Sequence, residues 1–274
     1  NHKLPYRQLF GPNVLGTATL IELALTAKLK RIAHVSTIAA NSHRGTTAGE
    51  DQDLEQVIPE WHTSEAYADG YGARKWAAEI LLAGAHKRFG LPVTVFRSNM
   101  ILAPTHYSGQ LNVPDVFTRQ ILSLALTRIA PRSFYSGDAA RAHYEGLPVD
   151  FIASAIVNIS EARRSGYHIF HVLNPNDDGI SMDSFTDWLA DLGYPCDRIE
   201  DFDEWRARFE TAMRALPEDL RHASLLPLMD AFRKPMKAVA GAGVPAPRFA
   251  EAVSETGTGE DGRIPNLGPD IIRR

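Results

Sequence analysis

Between Arg31 and Arg97 the chain alternates two hydrophobic periodicities in an order that few folds accommodate. Arg31-Ile-Ala-His-Val-Ser36 is short and β-prone, and reads as a buried strand. A polar stretch follows, Asn41 to Thr63, carrying Gly45, Gly49 and Pro59. It reads as a long loop, of a length uncommon unless functional. A helix then runs from about Tyr71 to Phe89, ended by a glycine C-cap and a proline stop in Gly90-Leu-Pro92. Val93-Thr-Val-Phe-Arg97 is the next strand. Strand, loop, helix, strand is the rhythm of a parallel sheet with crossover helices.

The flanks extend this pattern. Leu9, Val14, Leu15, Ala18, Ile21 and Leu25 recur at three- and four-residue steps, which predicts a helix within Gln8 to Leu29 that begins after Pro12. A helix is expected from Pro114 to Thr127, with the proline in its first turn. Another is expected from Asp150 to Ile159. Tyr167 to Leu173 is the last strong strand. Met182 to Asp191, Phe202 to Leu216 and Pro217 to Phe232 read as helices. The tail from Lys234 is rich in Gly, Pro, Ala and Glu, and is expected to be loose or peripheral.

Composition removes several function classes. A chain of 274 residues, 44% hydrophobic and 23% charged, buries a proper core and is not disordered. A net charge of -4 argues against a nucleic-acid binder. The single cysteine, Cys196, forms neither an internal disulfide nor a Cys-rich zinc site. Asn1 to Phe10 lack a signal-peptide pattern, and no apolar run reaches about 18 residues. The expectation is a cytoplasmic chain with no nucleic-acid and no membrane partner.

Chemistry is concentrated in Tyr71-Gly-Ala-Arg-Lys75. Four-residue spacing puts both side chains on one helix face. An ammonium beside a phenol favours the phenolate and makes Tyr71 a usable acid near neutral pH. Chance gives roughly 0.2 such pairs in a chain of this composition, so the motif alone is only suggestive. Its context strengthens it. Upstream, a strand ends in Val35-Ser36-Thr37, where open α/β sheets bind ligands. Thr37 and Tyr71 are two donors that can aim at one developing oxyanion. Ordinary strand-end capping is the competing account of Ser36 and Thr37.

At this point the sequence resembles the extended short-chain dehydrogenase/reductases. More narrowly it resembles the terminal thioester reductase domain of carboxylic acid reductases. The stretches that carry the resemblance are Leu4 to Thr17, His34 to Ile38, Ala66 to Glu79, Gly109-Gln-Leu-Asn-Val-Pro-Asp115, Ala142 to Phe151 and Asn174 to Gly179. The resemblance implies an α/β fold: a Rossmann-like doubly wound parallel sheet, its N-terminal part missing, with a smaller, mostly helical C-terminal lobe. Residues 1–104 would be the C-terminal part of the NAD(P)-binding domain, with 142–175 returning to it. Residues 105–141 and 176–274 would form the substrate- and carrier-binding lobe.

The same resemblance implies the activity. An acyl group arrives as a thioester on the phosphopantetheine arm of a carrier domain, loaded by an adenylation domain. NADPH reduces it, and an aldehyde leaves. Thr37 would position the carbonyl and Tyr71 donate the proton. Lys75 would bind ribose and tune Tyr71. Ser98, Asn99 and Met100 would lie beside the nicotinamide. Two departures stand out. The glycine-rich phosphate loop after an opening strand is missing, so this chain by itself is expected to bind cofactor poorly. Where Asn99 stands, the resembling reductases carry an Asp associated with stopping at the aldehyde. An amide keeps the size and loses the charge. A relative acting on a nucleotide sugar or small carbonyl, and a non-catalytic remnant, are the alternatives.

Other residues read as structural. His168 and His171, three apart on a strand, point to opposite faces and not at one metal. Asp177-Asp178-Gly179 reads as a turn, Cys196 as a passive thiol, and Ser224 belongs to no nucleophile motif. Arg206, Arg208 and Arg214 read as a solvated helix face. Trp76, Trp188 and Trp205 read as core or loop anchors, and Trp61 is the one placed to border a substrate channel.

Overall fold

The structure is a computed structural model, and it describes residues 6–63, 69–106 and 112–273. The stretches 1–5, 64–68 and 107–111 lie outside it, and with them parts of three of the family-like segments. Among the described residues no helix is long and apolar enough to cross a membrane. The chain divides into two compact units. The first comprises Asn1–Asn99, Phe151–Leu173 and Val244–Pro265; the second comprises Met100–Asp150, Asn174–Gly243 and Asn266–Arg274.

The first unit is built on three parallel strands, β1 (Ile32–Thr37), β2 (Val93–Ser98) and β3 (Tyr167–Val172), in the order β1-β2-β3. Thr37 pairs with Ser98, and Ser98 with Val172, so the C-terminal ends are level. All six residues of β2 are buried, the polar Thr94, Arg97 and Ser98 included, as its central place between two parallel strands demands. Helices α1 (Gly16–Leu25) and α2 (Asp69–Phe89) belong to this unit, as do most of α3 (Val149–Ala162) and all of α4 (Pro247–Glu255). Ala24, Leu82, Ala85, Leu91, Val93, Val95 and Ile169 form one apolar cluster. Each fully buried Leu or Val there contributes about 1.5–3 kcal/mol.

Three expectations change here. The first helix does not wait for Pro12. Tyr6–Phe10 is already helical, and Gly11–Leu15 is a π-turn that runs directly into α1. A proline has no N–H to donate and crowds the carbonyl four residues back, and a wider turn relieves both. The helix also stops at Leu25 and not near Leu29, where Thr26 turns extended and Lys30 Nζ caps the carbonyls of Leu23, Thr26 and Lys28. The polar stretch 41–63 is an ordered structure, with a short hairpin, Ser42–His43 against Thr46–Thr47, and a helical turn, Leu54–Val57. Ala48, Leu54 and Ile58 give it a small core of its own, which Trp61 and Trp76 cover.

The tail is not loose. In α4, Phe249, Ala252 and Val253 are buried, at the spacing of one helix face. The carboxylate of Glu50 accepts from the backbone N–H of Arg248 (2.8 Å), Phe249 (3.1 Å) and His171 (2.7 Å). A side chain almost two hundred residues upstream thereby satisfies the orphan donors of this helix start. Residues 244–265 accordingly belong to the first unit, whereas 142–150 belong to the second; both differ from the division expected from sequence.

The second unit is mostly helical. Val116–Thr127, Met182–Asp191 and Phe202–Arg214 pack around Trp205, Phe185, Phe209 and Phe134. Pro114 precedes the N-cap of the first of these helices instead of occupying its first turn. Asp115 is the cap, its carboxylate accepting from Phe117 and Thr118 N–H. The helix expected from Pro217 to Phe232 is broken at Ser224 into Glu218–Ala223 and a 3-10 stretch, Leu226–Phe232. Ser224 Oγ donates to Arg221 O and accepts from Leu226 N–H, which competes with helix continuation.

Candidate active site

The sheet sets the site by register. Thr37 ends β1 and Ser98 ends β2, side by side. Thr37 is buried, with an extended backbone, and its Oγ1 accepts from Ala39 N–H at 3.3 Å. It thus caps the 3-10 turn Ile38–Ala40, and its own O–H remains a donor. Capping and carbonyl positioning are therefore compatible in this geometry. Ser98 Oγ is buried and has no partner among the described residues. A hydroxyl in that state costs about 1–3 kcal/mol unless something else completes it. Asn99, the next residue, is exposed. Met100 opens the second unit, where its carbonyl accepts from Leu147 N–H at 3.1 Å.

Helix α2 carries Tyr71 and Lys75. Lys75 Nζ donates to Val35 O at 2.6 Å, which pins the helix to β1 two residues before Thr37. Burial lowers the Lys75 pKa; Arg74 lowers it further, and Glu79 opposes both. The cation over the Tyr71 ring is Arg74, its Cζ 4.5 Å from the ring centroid. Sequence reasoning looked only at Lys75 and missed this neighbour. Gly72 explains how the first turn of α2 comes so near the strand end. A Cβ there would stand 2.7 Å from Ala39 O and 3.0 Å from the Trp61 ring. Trp61 stacks on His43 at 4.3 Å and donates from Nε1 to Asp69 at 2.9 Å, so it supports the start of α2.

Lys75 opens onto a cleft of about 510 Å³, within the range of small-molecule sites. His34 and Val35 line it from β1, and Asn13, Gly16 and Thr17 from the π-turn and α1. Burial, then Lys75, lowers the His34 pKa to about 4, so that imidazole is neutral at pH 7. Asn13 was not singled out from sequence. The signal was there: Pro12-Asn13 inside a helical pattern marks the π-turn, and such turns are frequent at functional sites. Asn13 Nδ2 donates to Leu9 O (3.0 Å), and its carbonyl accepts from Thr17 Oγ1 (2.6 Å).

Behind the strand ends lies a buried polar network. Glu79 and Arg97 are fully buried and paired, Nη2 to Oε2 at 2.9 Å and Nε to Oε2 at 3.0 Å. Ser36 Oγ donates to Glu79 Oε1. Arg97 Nη1 reaches His171 Nε2 at 3.3 Å, and Asn41 Nδ2 reaches the same nitrogen at 3.1 Å. His171 Nδ1 faces Pro245 O at 2.9 Å and must be the protonated nitrogen. Burial, together with Arg97, lowers the His171 pKa to about 4 despite that bond.

Most of the residues read as structural have structural partners; Arg206 departs from the solvated face expected of it, half-buried, with an Nε that has no partner among the described residues. His168 Nε2 faces Ser165 O, while His171 is enclosed in the network. No group of three metal-type ligands occurs among the described residues. Asp178 accepts from Ile180 N–H in a turn with Gly179 at φ +68°. Burial raises the Cys196 pKa, which makes it a poor nucleophile. Arg208 pairs with Asp197 and Glu204, and Arg214 with Glu210.

Lys75 Nζ and the Ser98 hydroxyl, which has no partner among the described residues, are donors of the kind that the ribose and amide of a nicotinamide cofactor need. The sequence offers no glycine-rich turn after a strand for its pyrophosphate. The NAD-binding family described as Male sterility protein matches residues 1–156. Carboxylic acid reductase of Mycobacterium marinum is 52% identical over 99% of this chain, which spans 24% of that protein. Isonitrile lipopeptide synthase of Mycobacterium tuberculosis is 45% identical over 98% of the chain, which spans 11% of it. The reductase (R) domain of a nonribosomal peptide synthetase from Mycobacterium tuberculosis superposes with a TM-score of 0.88 at 44% identity, covering 96% of this chain and 63% of that one. The chain thus spans a quarter or less of these multidomain relatives and about two thirds of the R domain. With the match running over more than half its length, the chain belongs to this NAD-binding family and is part of a terminal reductase domain of the extended short-chain dehydrogenase/reductase superfamily.

Proposed function

We propose that this chain is the catalytic part of a thioester reductase: an acyl thioester on a carrier domain's phosphopantetheine is reduced with NADPH to an aldehyde, in the cytoplasm. The observation that carries the reading is the pair of hydroxyls at the level ends of β1 and β2. Thr37 keeps a proton to donate, and Ser98 is buried with no partner among the described residues. Buried hydroxyls in native proteins are ordinarily satisfied, and a bound cofactor amide or substrate carbonyl would complete this one.

The proposed roles rest on the family resemblance, and the place of Thr37, Lys75 and Ser98 supports them. Thr37 donates to the thioester carbonyl, and Tyr71 protonates the oxygen as charge develops on it. Lys75, held by Val35 O, has remaining N–H groups for ribose hydroxyls. Arg74 packs its guanidinium over the Tyr71 ring and so helps to hold that ring in place. Ser98 and Asn99 hold the nicotinamide end. Met100 joins them on the family resemblance alone. When bound, the cofactor supplies the hydride; the protein supplies orientation and the proton. The second unit takes the acyl chain and the carrier domain, and an adenylation domain loads that carrier. Reduction stops at the aldehyde, with Asn99 neutral where the resembling enzymes are charged.

The test is Tyr71→Phe in the whole protein that carries this chain. Loss of nearly all NADPH oxidation on an acyl-pantetheine thioester is expected. Unchanged oxidation would remove Tyr71 from the mechanism and overturn the reading.

A further inference from the structure

Tyr71, Lys75 and Glu79 follow one another at four-residue steps along one stripe of α2. The first two belong to the proposed site; the third is completely buried and lies behind it. We infer that Glu79 is a positioning residue: its carboxylate locks α2 against the C-terminal ends of β1 and β2, and so fixes where Tyr71 and Lys75 stand relative to Thr37 and Ser98. This inference rests on the thioester-reductase reading and adds a residue to it.

The contacts carry the argument. One carboxylate is shared by three elements. Ser36 of β1 donates to Oε1, and Arg97 of β2 donates to Oε2 from Nε (3.0 Å) and Nη2 (2.9 Å). Ser36 and Arg97 are themselves directly paired across the two strands. Each is followed at once by a residue of the site, Thr37 after Ser36 and Ser98 after Arg97. A slide of α2 along the sheet would break all three bonds in a place closed to solvent. Arg97 cannot follow such a slide, because its Nη1 is held by Gly49 O and His171 Nε2, both at 3.3 Å.

The chemistry of a buried ion pair points the same way. Taking a carboxylate and a guanidinium out of water costs about as much as their attraction returns, so a well-packed apolar pair gives similar stability. What the apolar pair lacks is direction. Hydrogen bonds with every lone pair engaged hold one register; methylenes allow several. Glu79 also sits one turn from Lys75, whose ammonium it stabilises. Its removal therefore reaches the site electrostatically as well as through position.

The experiment measures kcat, the KM for NADPH, the pH profile and thermal stability on the whole protein. Two variants are used: Ser36→Ala, and the double change Glu79→Met with Arg97→Met. Ser36→Ala cuts the tie to β1 and leaves the ion pair. A fall in kcat of about tenfold or more is expected, with the KM for NADPH within about twofold and the melting temperature lower by only the few degrees that one lost buried hydrogen bond accounts for. The double variant should melt close to wild type. Its kcat should fall further, and the alkaline limb of its pH profile should move to lower pH, because Lys75 has lost its nearby carboxylate. A purely structural pair would leave kcat and the pH profile in place once stability is restored. Wild-type kcat in either variant overturns the inference. If the double variant does not fold, Ser36→Ala decides alone. Tyr71→Phe run in parallel separates the two levels. An inactive Tyr71→Phe with a normal Ser36→Ala sinks only the positioning role. An active Tyr71→Phe sinks the parent reading and takes this one with it.

Discussion

Two glycines on α2 make the sharpest quantitative case. Gly72 and Gly84 both lie within the helix, and both become alanine at a gain of about 1 kcal/mol in helix propensity. Their surroundings differ. Nothing stands within 4 Å of a Cβ built at Gly84. At Gly72 the same atom meets the Ala39 carbonyl oxygen at 2.7 Å and Trp61 ring carbons at 3.0 and 3.1 Å. Ordinary contact begins at 3.4 Å, so about 0.7 Å must be found. The oxygen is backbone, in the turn that Thr37 caps, and Trp61 is held by Asp69 and His43. The helix therefore has to move. Overpacking of this kind costs about 1–3 kcal/mol, which turns the propensity gain into a net loss of up to about 2 kcal/mol. Gly84→Ala should raise the melting temperature by roughly 2–4 °C, and Gly72→Ala should lower it by up to about 8 °C. In the activity assay, Gly84→Ala should match wild type. Gly72→Ala displaces the residue beside Tyr71 by a large part of an ångström, which is worth roughly 10- to 100-fold in kcat. Thermal melts and NADPH oxidation on the two variants side by side decide it. Equal stability and equal activity would show that α2 does not approach the Thr37 turn as closely as described.

Ser98→Ala removes a buried hydroxyl with no partner among the described residues, so it should leave the melting temperature unchanged or raise it slightly, while weakening NADPH in a binding titration; a clear loss of stability would mean that the hydroxyl already has a structural partner. His171 gives a pH prediction. Its folded pKa is about 4 against about 6.5 when unfolded, so the unfolded state binds the extra proton in between. That histidine's contribution is complete above about pH 6.5 and is lost as pH falls toward 4, by about 3 kcal/mol in all. Glu50, whose pKa burial raises, works in the opposite sense at the upper end of its own range, so the comparison is made against His171→Asn. The wild type should lose more stability than the variant between pH 6.5 and 4 in urea melts; parallel curves would refute the assignment of a neutral, Nδ1-protonated His171.

What the sequence discloses and what it conceals divide along a physical line. Periodicity is local, and the elements that rest on it were legible: the parallel strands β1, β2 and β3, the helix α2, and the helix Met182–Asp191 to the residue. The spacing of Tyr71 and Lys75 was legible for the same reason. Features set by a distant partner were not. The helix α4 has a proline at its start and Phe249, Ala252 and Val253 on one face, yet it sits in a stretch whose Gly and Pro content suggests looseness. Its capping group is Glu50, and no window of sequence contains both. Arg97 looked like an ordinary end to a β-prone run, and its charge takes on meaning only against Glu79 and His171. The π-turn at Pro12 is an intermediate case. Proline in a helical pattern signals a break, but a helix can widen around it, and here widening places Asn13 on the cleft of Lys75. Each of these long-range pieces is a buried polar group with its partners supplied from another part of the chain. A buried charge has few tolerable arrangements, so such groups fix position more narrowly than apolar packing does. That is the physical reason to look for the control of a reacting geometry in Glu79, Arg97 and Ser36, one layer behind the groups proposed to meet the substrate.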